Sequence, residues 1–119
     1  MSYIYCIKER NTDKIIYIGQ TKRDPKKRMN EHFKDIENNR HKIKKLNTYK
    51  VEDLDFEVLS KVNTDNSLVL SFLEMLYISK YKPINKCICK GFKGSQVTFA
   101  RCNNIKLVEK LIEDIENCC

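Results

Sequence analysis

The segments Tyr3-Ile4-Tyr5 and Tyr17-Ile18-Gly19 decide the fold, because they predict two short strands separated by one tight turn. The intervening Arg10-Asn11-Thr12-Asp13 is a cluster of turn-forming residues, so residues 3–8 and 14–19 are predicted to form a β-hairpin. Each of the tyrosines at positions 5 and 17 lies on the same face of its strand as its odd-numbered neighbours. The register then decides whether the two hydroxyl groups share a face, and the sequence alone leaves this open.

Size and charge limit the classes of protein to which the chain can belong. Its 119 residues fit one domain with a moderate core. The 23 lysines and arginines outnumber the 16 acidic residues, which gives a net charge of +7 and favours a polyanionic partner such as nucleic acid. An anionic membrane surface is the competing partner. We expect no membrane association, because no segment is long and apolar enough to span a bilayer and no basic amphipathic helix carries an exposed aromatic face.

The amino terminus and the cysteines bear on the cellular compartment. The chain enters a strand at Tyr3 without a charged and then apolar leader, so no secretory signal is expected. The six cysteines are therefore expected to stay reduced in the cytoplasm of a bacterium or a virus-infected cell. Cys87, Cys89 and Cys102 hint at a metal site, but they lack a second close pair at zinc-finger spacing, so structural zinc is not favoured.

A basic helix follows the hairpin. It begins at Asp24-Pro25, where a capping side chain precedes a proline at the first helical position, and it is predicted to run to about Glu37. Arg28 and His32 lie four residues apart at the edge of its apolar face, where side chains can point into a cleft. The apolar face recurs at helical spacing and consists of Met29, Phe33 and Ile36.

The remaining segments complete an α+β prediction. A short basic segment is expected over residues 42–50, a third strand over 54–59, an almost wholly apolar helix over 66–81 and an amphipathic helix over 104–116. The predicted fold is a small three-stranded sheet, made of the hairpin plus the third strand, flanked by helices in the order ββααβα with a C-terminal helix. The last helix is expected to cover its own core or to pair with a second copy, and a monomer is preferred over a homodimer.

Glu74 lies at the centre of the apolar helix. It is the only acidic residue between Asp65 and Glu109. Burying a carboxylate is unfavourable unless the group is paired or bound to metal. One interpretation is an ion pair with an arginine at the edge of the core, such as Arg28. The other is a metal ligand at the floor of a cleft, and the sequence leaves both open.

The order of these features resembles the GIY-YIG nuclease family over roughly residues 2–86. Tyr3 stands where the family is named for a glycine, a position that varies among members. The resemblance implies that residues 1–90 form a catalytic domain and that residues 91–119 form a basic loop and amphipathic helix packed on it. It also implies DNA as the substrate, which would be cut by hydrolysis of phosphodiester bonds. The implied catalytic residues are Tyr5, Tyr17, Arg28, His32 and Asn85, with Glu74 as the metal ligand.

The implied chemistry uses one Mg²⁺ (or Mn²⁺) ion per active site, because a single carboxylate suits a heavily hydrated hard cation. Arg28 would hold a phosphate oxygen, a tyrosine would deprotonate the attacking water, and His32 would relay that proton or bind phosphate. Tyr17 is preferred as the base because the cation of Lys22 lies only a short loop away. Asn85 would orient the substrate or Glu74.

DNA binding is expected mostly through phosphate contacts. His41 falls where some homing-type members have a functional histidine, although a lone histidine in a basic loop is usually a surface residue. A non-cleaving nucleic-acid-binding or protein-interaction module, for example a factor in phage defence, is the alternative function on the same fold. The residues expected to contact DNA are Lys22, Lys27, His41, Lys44 and Lys45.

Overall fold

The three predicted strands form one antiparallel sheet with the first strand at its centre. The computed structural model describes residues 1–84 and 104–118. Strand β1 spans Ser2–Glu9, β2 spans Ile15–Thr21 and β3 spans Leu54–Val62, and their order across the sheet is β2-β1-β3. The central strand β1 is therefore hydrogen-bonded to a neighbour on each side, and β2 and β3 are the edge strands.

The register of the hairpin answers the question that the sequence left open. Tyr5 pairs with Gly19 and Ile7 pairs with Tyr17, so Tyr5 and Tyr17 lie on the same face of the sheet, with one residue pair between them. An irregularity after Ile7 leaves Ile16 without a partner on β1, because Lys8 already pairs with Ile15.

Local capping explains where the main helices begin and end. The Asp24 side chain accepts a hydrogen bond from the Lys26 backbone at the start of helix α1 (Pro25–Glu37), and Asn66 caps helix α2 (Ser67–Tyr81) in the same way. Lys82 follows the last residue of α2 and caps it in a left-handed conformation with φ 48°. The helices are α1 (Pro25–Glu37), two short 3₁₀ helices (Lys44–Thr48 and Val51–Asp53), α2 (Ser67–Tyr81) and α3 (Ile105–Cys118).

Each face of the sheet packs against a different layer. Helices α2 and α3 cover one face, where Ile4 and Ile18 meet Leu73 and Leu76 of α2 and Val108 of α3. Helix α1 and the first 3₁₀ helix cover the other face, and this second cluster is formed by Ile7, Ile16, Ile36, Leu46 and Leu54. The face that carries both tyrosines is therefore the face covered by α1.

Helix α3 packs on α2 and is held there by a carboxylate. Val108 and Ile112 are buried in the shared cluster. The Glu116 side chain accepts hydrogen bonds from the Tyr77 hydroxyl (3.0 Å) and from the Ser60 hydroxyl. The predicted domain boundary near residue 90 falls outside the described residues. Within residues 1–84 and 104–118, no helix has the length and apolar character needed to cross a membrane.

Three local predictions differ from the structure. Strand β2 continues through Gln20 and Thr21, which were predicted to begin a loop. In β3, an irregularity between the pairs Ile4–Ser60 and Tyr5–Val58 leaves Leu59 without a partner on β1, and Val58 is 40% exposed. The basic segment after α1 forms two 3₁₀ helices in place of one helical element, because its apolar residues recur at three-residue spacing.

Candidate active site

A glycine makes room for the hydroxyl group at the centre of the site. Gly19 faces Tyr5 across the hairpin, and a Cβ atom at position 19 would lie 2.4 Å from the Tyr5 Oη and 2.6 Å from its Cζ. No other residue type has a side chain small enough for this position. The absence of a side chain on β2 therefore allows the Tyr5 ring to extend beneath that strand.

Aromatic rings from three elements surround this hydroxyl. The Tyr5 and Tyr17 ring centroids are 6.3 Å apart, and the His32 ring of α1 lies 5.5 Å from the Tyr5 ring and 5.0 Å from the Tyr17 ring. Phe56 of β3 stacks on Tyr5 at 4.9 Å. Tyr5 is 1% exposed and Tyr17 is partly exposed, so Tyr17 is the tyrosine that borders solvent.

Two histidines extend the site behind Tyr5. The Tyr5 Oη and His32 Nε2 atoms are hydrogen-bonded at 2.7 Å, and His32 Nδ1 is hydrogen-bonded to His41 Nε2 at 2.7 Å. The backbone N–H of Ile43 donates to His41 Nδ1 at 3.0 Å. The Asn47 side chain fixes the backbone of residue 41 by accepting from its N–H and donating to its carbonyl.

The expectation that His41 is a surface residue is wrong. Its side chain is buried, and both of its ring nitrogens are hydrogen-bonded. It belongs to the tyrosine–histidine cluster, which consists of Tyr5, Tyr17, His32 and His41. His32 is also deeper than predicted: it is more buried than Met29 and Phe33, which were predicted to form the apolar face of α1. Residue 32 therefore points into the sheet face and not along the rim of a cleft.

Arg28 shares a carboxylate with a second arginine. Arg28 Nη1 and Arg23 Nη2 donate to the same Glu31 oxygen, Oε1, at 3.0 and 2.6 Å. These hydrogen bonds, that of Arg23 first, lower the pKa of Glu31 to about 2, so the carboxylate is ionised throughout the physiological range. The ion pair of Arg28 is thus formed with a neighbour on its own helix.

Glu74 reaches the edge of the sheet from α2. Its Oε2 accepts a hydrogen bond from Gln20 Nε2 at 2.9 Å, and Gln20 also donates to Ser71 Oγ at 3.3 Å. Burial raises the pKa of Glu74 to about 7, and the Gln20 hydrogen bond opposes that shift. A nearby cation would stabilise the ionised form of this buried carboxylate, so Glu74 is suited to be a metal ligand.

Electrostatic coupling joins Glu74, Arg28 and the two tyrosines. Burial is the main reason why the pKa of Tyr17 is raised, and the charge of Glu74 raises it further. The charge of Arg28 and hydrogen bonds from Tyr5 and Arg28 oppose that rise. Burial, followed by the charge of Tyr17, raises the pKa of Tyr5 far above its ordinary value. Both hydroxyls are therefore protonated at neutral pH.

Burial also keeps both histidines neutral. It lowers the pKa of His32 to about 3, and the charge of Arg28 acts in the same direction. Burial is likewise the largest cause of the lowered pKa of His41. The tyrosine–histidine cluster thus holds neutral groups that can exchange hydrogen bonds at physiological pH.

Tyr17 was preferred as the base because Lys22 is close to it in sequence, but the Lys22 side chain has a different partner in the structure. Its Nζ donates to the Ser67 hydroxyl at the start of α2 at 3.0 Å. Arg28 is the cation that acts on Tyr17. Lys27, Lys44 and Lys45 are exposed, as DNA contacts must be, and Lys44 lines an open cleft of about 460 Å³ that His41 also borders. Asn85 lies outside the described residues.

Four residues of the site were missed from the sequence. Glu31 was detectable in principle, because it lies three residues after Arg28 on the same helix. Gln20 follows the conspicuous Gly19 directly, but the prediction of a loop there hid its role. Arg23 and Asn47 carry no sequence signal of their own, since their contacts depend on the packing of separate segments.

The described residues suit a single, mostly hydrated cation. Among them, no three histidine, cysteine or acidic side chains lie close enough together to hold a metal ion. Glu74 supplies one hard oxygen ligand, and hard cations such as Mg²⁺ accept one or two carboxylates together with water and phosphate oxygens. This single carboxylate is compatible with Mg²⁺ or Mn²⁺. Cys87, Cys89 and Cys102, which hinted at a metal site in the sequence, lie outside the described residues.

Comparison with known proteins places this geometry in a family. The model of the GIY-YIG catalytic domain matches residues 1–87. Among solved structures, the catalytic domain of the homing endonuclease I-TevI is similar with a TM-score of 0.56 and 26% sequence identity, over 69% of this chain and 89% of that one. A comparison with curated proteins finds no match. The resemblance predicted from the sequence is confirmed, and this chain belongs to the GIY-YIG family and contains a nuclease domain.

Proposed function

We propose that this domain is a DNA endonuclease that hydrolyses phosphodiester bonds with a water activated by Tyr17 and with one divalent cation held by Glu74. The observation that carries the proposal is the 2.9 Å hydrogen bond from Gln20 to Glu74, which brings the carboxylate to the strand that also carries Tyr17. A base, a cation ligand and a phosphate-binding group are the three parts that such hydrolysis needs.

Tyr17 suits the role of base better than Tyr5 does. It is partly exposed, whereas Tyr5 is buried, so only Tyr17 can meet a water molecule from solvent. Hydrogen bonds from Tyr5 and Arg28 lower the pKa of Tyr17 and would stabilise its phenolate. A cation on Glu74 would cancel the charge that raises the pKa of Tyr17.

Arg28 would bind a non-bridging oxygen of the scissile phosphate with its planar guanidinium group. Its present partner is the Glu31 carboxylate, so an incoming phosphate takes a place that is already suited to an anion. A divalent cation at Glu74 would supply positive charge to the phosphate and acidify a water that protonates the leaving oxygen. Gln20 holds Glu74 in the orientation that this requires.

Contacts with DNA are proposed to be mostly with phosphates. Lys27, Lys44 and Lys45 are exposed on α1 and the first 3₁₀ helix, which cover the tyrosine face, so they are available for phosphate contacts on that side of the domain. Binding of this kind is weak in sequence discrimination and falls steeply with salt. A monomer is proposed, because the apolar residues Val108 and Ile112 of α3 are buried within the chain.

A non-cleaving binding module is the alternative function. It is less favoured because such a module would not need the hydrogen-bonded Glu74 or the arginine pair around Glu31. Incubation of the purified protein with supercoiled, linear, single-stranded and branched DNA, with and without Mg²⁺, tests the proposal. Mg²⁺-dependent strand breaks are expected, and binding without breaks on every substrate would favour the module.

A further inference from the structure

The backbone fixes the position of one proton on His41. A peptide N–H can only donate a hydrogen bond, and the Ile43 N–H is directed at His41 Nδ1 at 3.0 Å. His41 Nδ1 is therefore the acceptor and carries no proton. A doubly protonated ring is excluded by the same contact, so His41 is neutral and carries its proton on Nε2.

That proton determines the state of the next ring. His41 Nε2 lies 2.7 Å from His32 Nδ1, so His41 donates and His32 Nδ1 accepts. The two ring planes are within 21° of each other at a centroid separation of 5.0 Å, so the rings meet edge to edge with their nitrogens in line. His32 then carries its own proton on Nε2 and donates it to the Tyr5 Oη, 2.7 Å away.

We propose that the Ile43 N–H and His41 together fix the direction of this hydrogen-bond chain, so that the Tyr5 hydroxyl accepts from His32 and directs its own proton away from that ring. His41 is thus a positioning residue, which acts on the reaction through His32 and Tyr5. The role in water activation rests on the proposed function, whereas the direction of the chain rests on the hydrogen bonds alone.

The direction of the chain decides what His32 can do. Because His32 Nε2 already carries a proton, it cannot take one from Tyr5, and the proton relay predicted for His32 does not fit this arrangement. Tyr5 instead accepts from His32 and directs its own proton away from that ring. The Tyr5 hydroxyl lies beside Tyr17, because a Cβ atom at position 19 would be 2.4 Å from the Tyr5 Oη and 3.1 Å from the Tyr17 Cε1. His32 and His41 are 2% and 7% exposed, so water has little access to break the chain.

Nitrogen-15 NMR of the imidazole rings tests the inference without any need for activity. Protonated and unprotonated ring nitrogens have well-separated shifts, and this chain has only two histidines. For the wild-type protein at neutral pH, we expect both rings to carry the proton on Nε2 and not on Nδ1. A proton on Nδ1 of either ring, or on both nitrogens of one ring, would overturn the inference.

The variant His41→Ala tests the positioning role. Removal of the donor to His32 Nδ1 should allow the other tautomer of His32, which appears as a new protonated Nδ1 signal. The turnover number for DNA cleavage should fall about 100-fold, which is the order of the loss expected when an active-site group is misplaced by about 1 Å. KM for DNA should stay within about threefold, because His41 is buried and does not contact the substrate.

Matched controls separate the possible failures. Glu37→Gln changes an exposed residue of α1 and should alter neither the imidazole spectrum nor the turnover number. An unchanged turnover number in a folded His41→Ala protein would overturn the positioning role. If His41→Ala does not fold, the wild-type spectrum alone decides. A wild-type protein that never cuts DNA but shows both protons on Nε2 would refute the proposed function and support the direction of the chain.

Discussion

The Tyr5 hydroxyl lies directly beneath Gly19, so closely that a Cβ atom at position 19 would approach the Tyr5 Oη to 2.4 Å. The contact is between Tyr5 of β1 and Gly19 of β2, so it links the two strands of the hairpin. The glycine is needed for the space that it leaves, and the tyrosine uses that space to reach His32 at 2.7 Å. A change at either residue should therefore be felt at the other.

Gly19→Ala should destabilise the domain and weaken cleavage. The added methyl group meets the stiff Tyr5 ring, and overpacking of this kind costs about 1–3 kcal/mol of unfolding free energy. Urea denaturation measures the loss. Tyr5→Phe in the same chain should restore only part of it, because the ring carbon Cζ would still lie 2.6 Å from the new methyl group. Full stability in the Gly19→Ala protein would contradict the close approach.

Tyr17→Phe should lower the turnover number more than Tyr5→Phe does. The first variant removes the proposed base, which is worth roughly 10²–10⁴-fold in rate, and the second removes only a donor to it. Single-turnover cleavage at several pH values provides the measurement. Since the pKa of Tyr17 is raised, the wild-type rate should increase with pH above neutrality, and Tyr17→Phe should abolish that increase. Equal and mild effects of both variants would mean that the hydroxyls are structural.

Glu31→Gln should separate binding from catalysis. The substitution removes a carboxylate that occupies Arg23 and Arg28, so DNA affinity should rise severalfold at low salt, as expected when an anion near phosphate is lost. The turnover number should fall because Arg28 loses the partner that orients it. Fluorescence anisotropy and single-turnover cleavage measure the two effects. Weaker binding by this variant would show that Glu31 supports the phosphate site and does not compete for it.

Stability should depend on pH through Glu74. Burial raises the pKa of this group to about 7 in the folded state, above its usual 4.5. The stabilisation from the protonated form is therefore complete below about pH 4.5 and is lost as pH rises to about 7. In the metal-free protein the loss is on the order of 3 kcal/mol from a shift of this size.

A comparison of the wild-type protein with Glu74→Gln isolates the contribution of Glu74 to the pH dependence of stability. The lowered pKa values of His32 and His41 act in the opposite sense, because protonation of the unfolded chain below about pH 6.5 favours unfolding. Both histidines are present in the wild-type and variant proteins, so the difference between the two stability curves reports Glu74. Parallel curves between pH 4.5 and 7 would contradict the raised pKa.

The helices and strands could be predicted from local sequence signals, whereas the contacts within the candidate site depend on how separate segments pack together. Asp24-Pro25 predicts the start of α1 because capping is a local property, and the structure confirms it. His41 was predicted on the surface because its burial depends on a backbone donor at Ile43 and a clamp by Asn47, neither of which is visible in composition. Gln20 was missed for a related reason: its partner Glu74 lies 54 residues further along the chain.

The register of strand pairing was the second feature that could not be predicted from the sequence. The alternation of apolar residues predicts a strand near Leu54, but not the irregularities that leave Ile16 and Leu59 without partners on β1. The shared face of Tyr5 and Tyr17 depends on the pairing of Tyr5 with Gly19. The chemistry of the site was thus predictable in its residue types, while its hydrogen-bond partners required the fold.

In the proposed function, cleavage depends on a cation that is held by Glu74. Glu74→Gln keeps the size of the side chain and the contact with Gln20, but an amide oxygen is a poor ligand for a hard cation. Single-turnover cleavage of supercoiled DNA in Mg²⁺, with DNA affinity measured in parallel and Glu37→Gln as the control, tests this directly. We expect Glu74→Gln to bind DNA nearly as well as the wild type but to make no Mg²⁺-dependent breaks. Wild-type rates of Mg²⁺-dependent cleavage by the folded variant would contradict it.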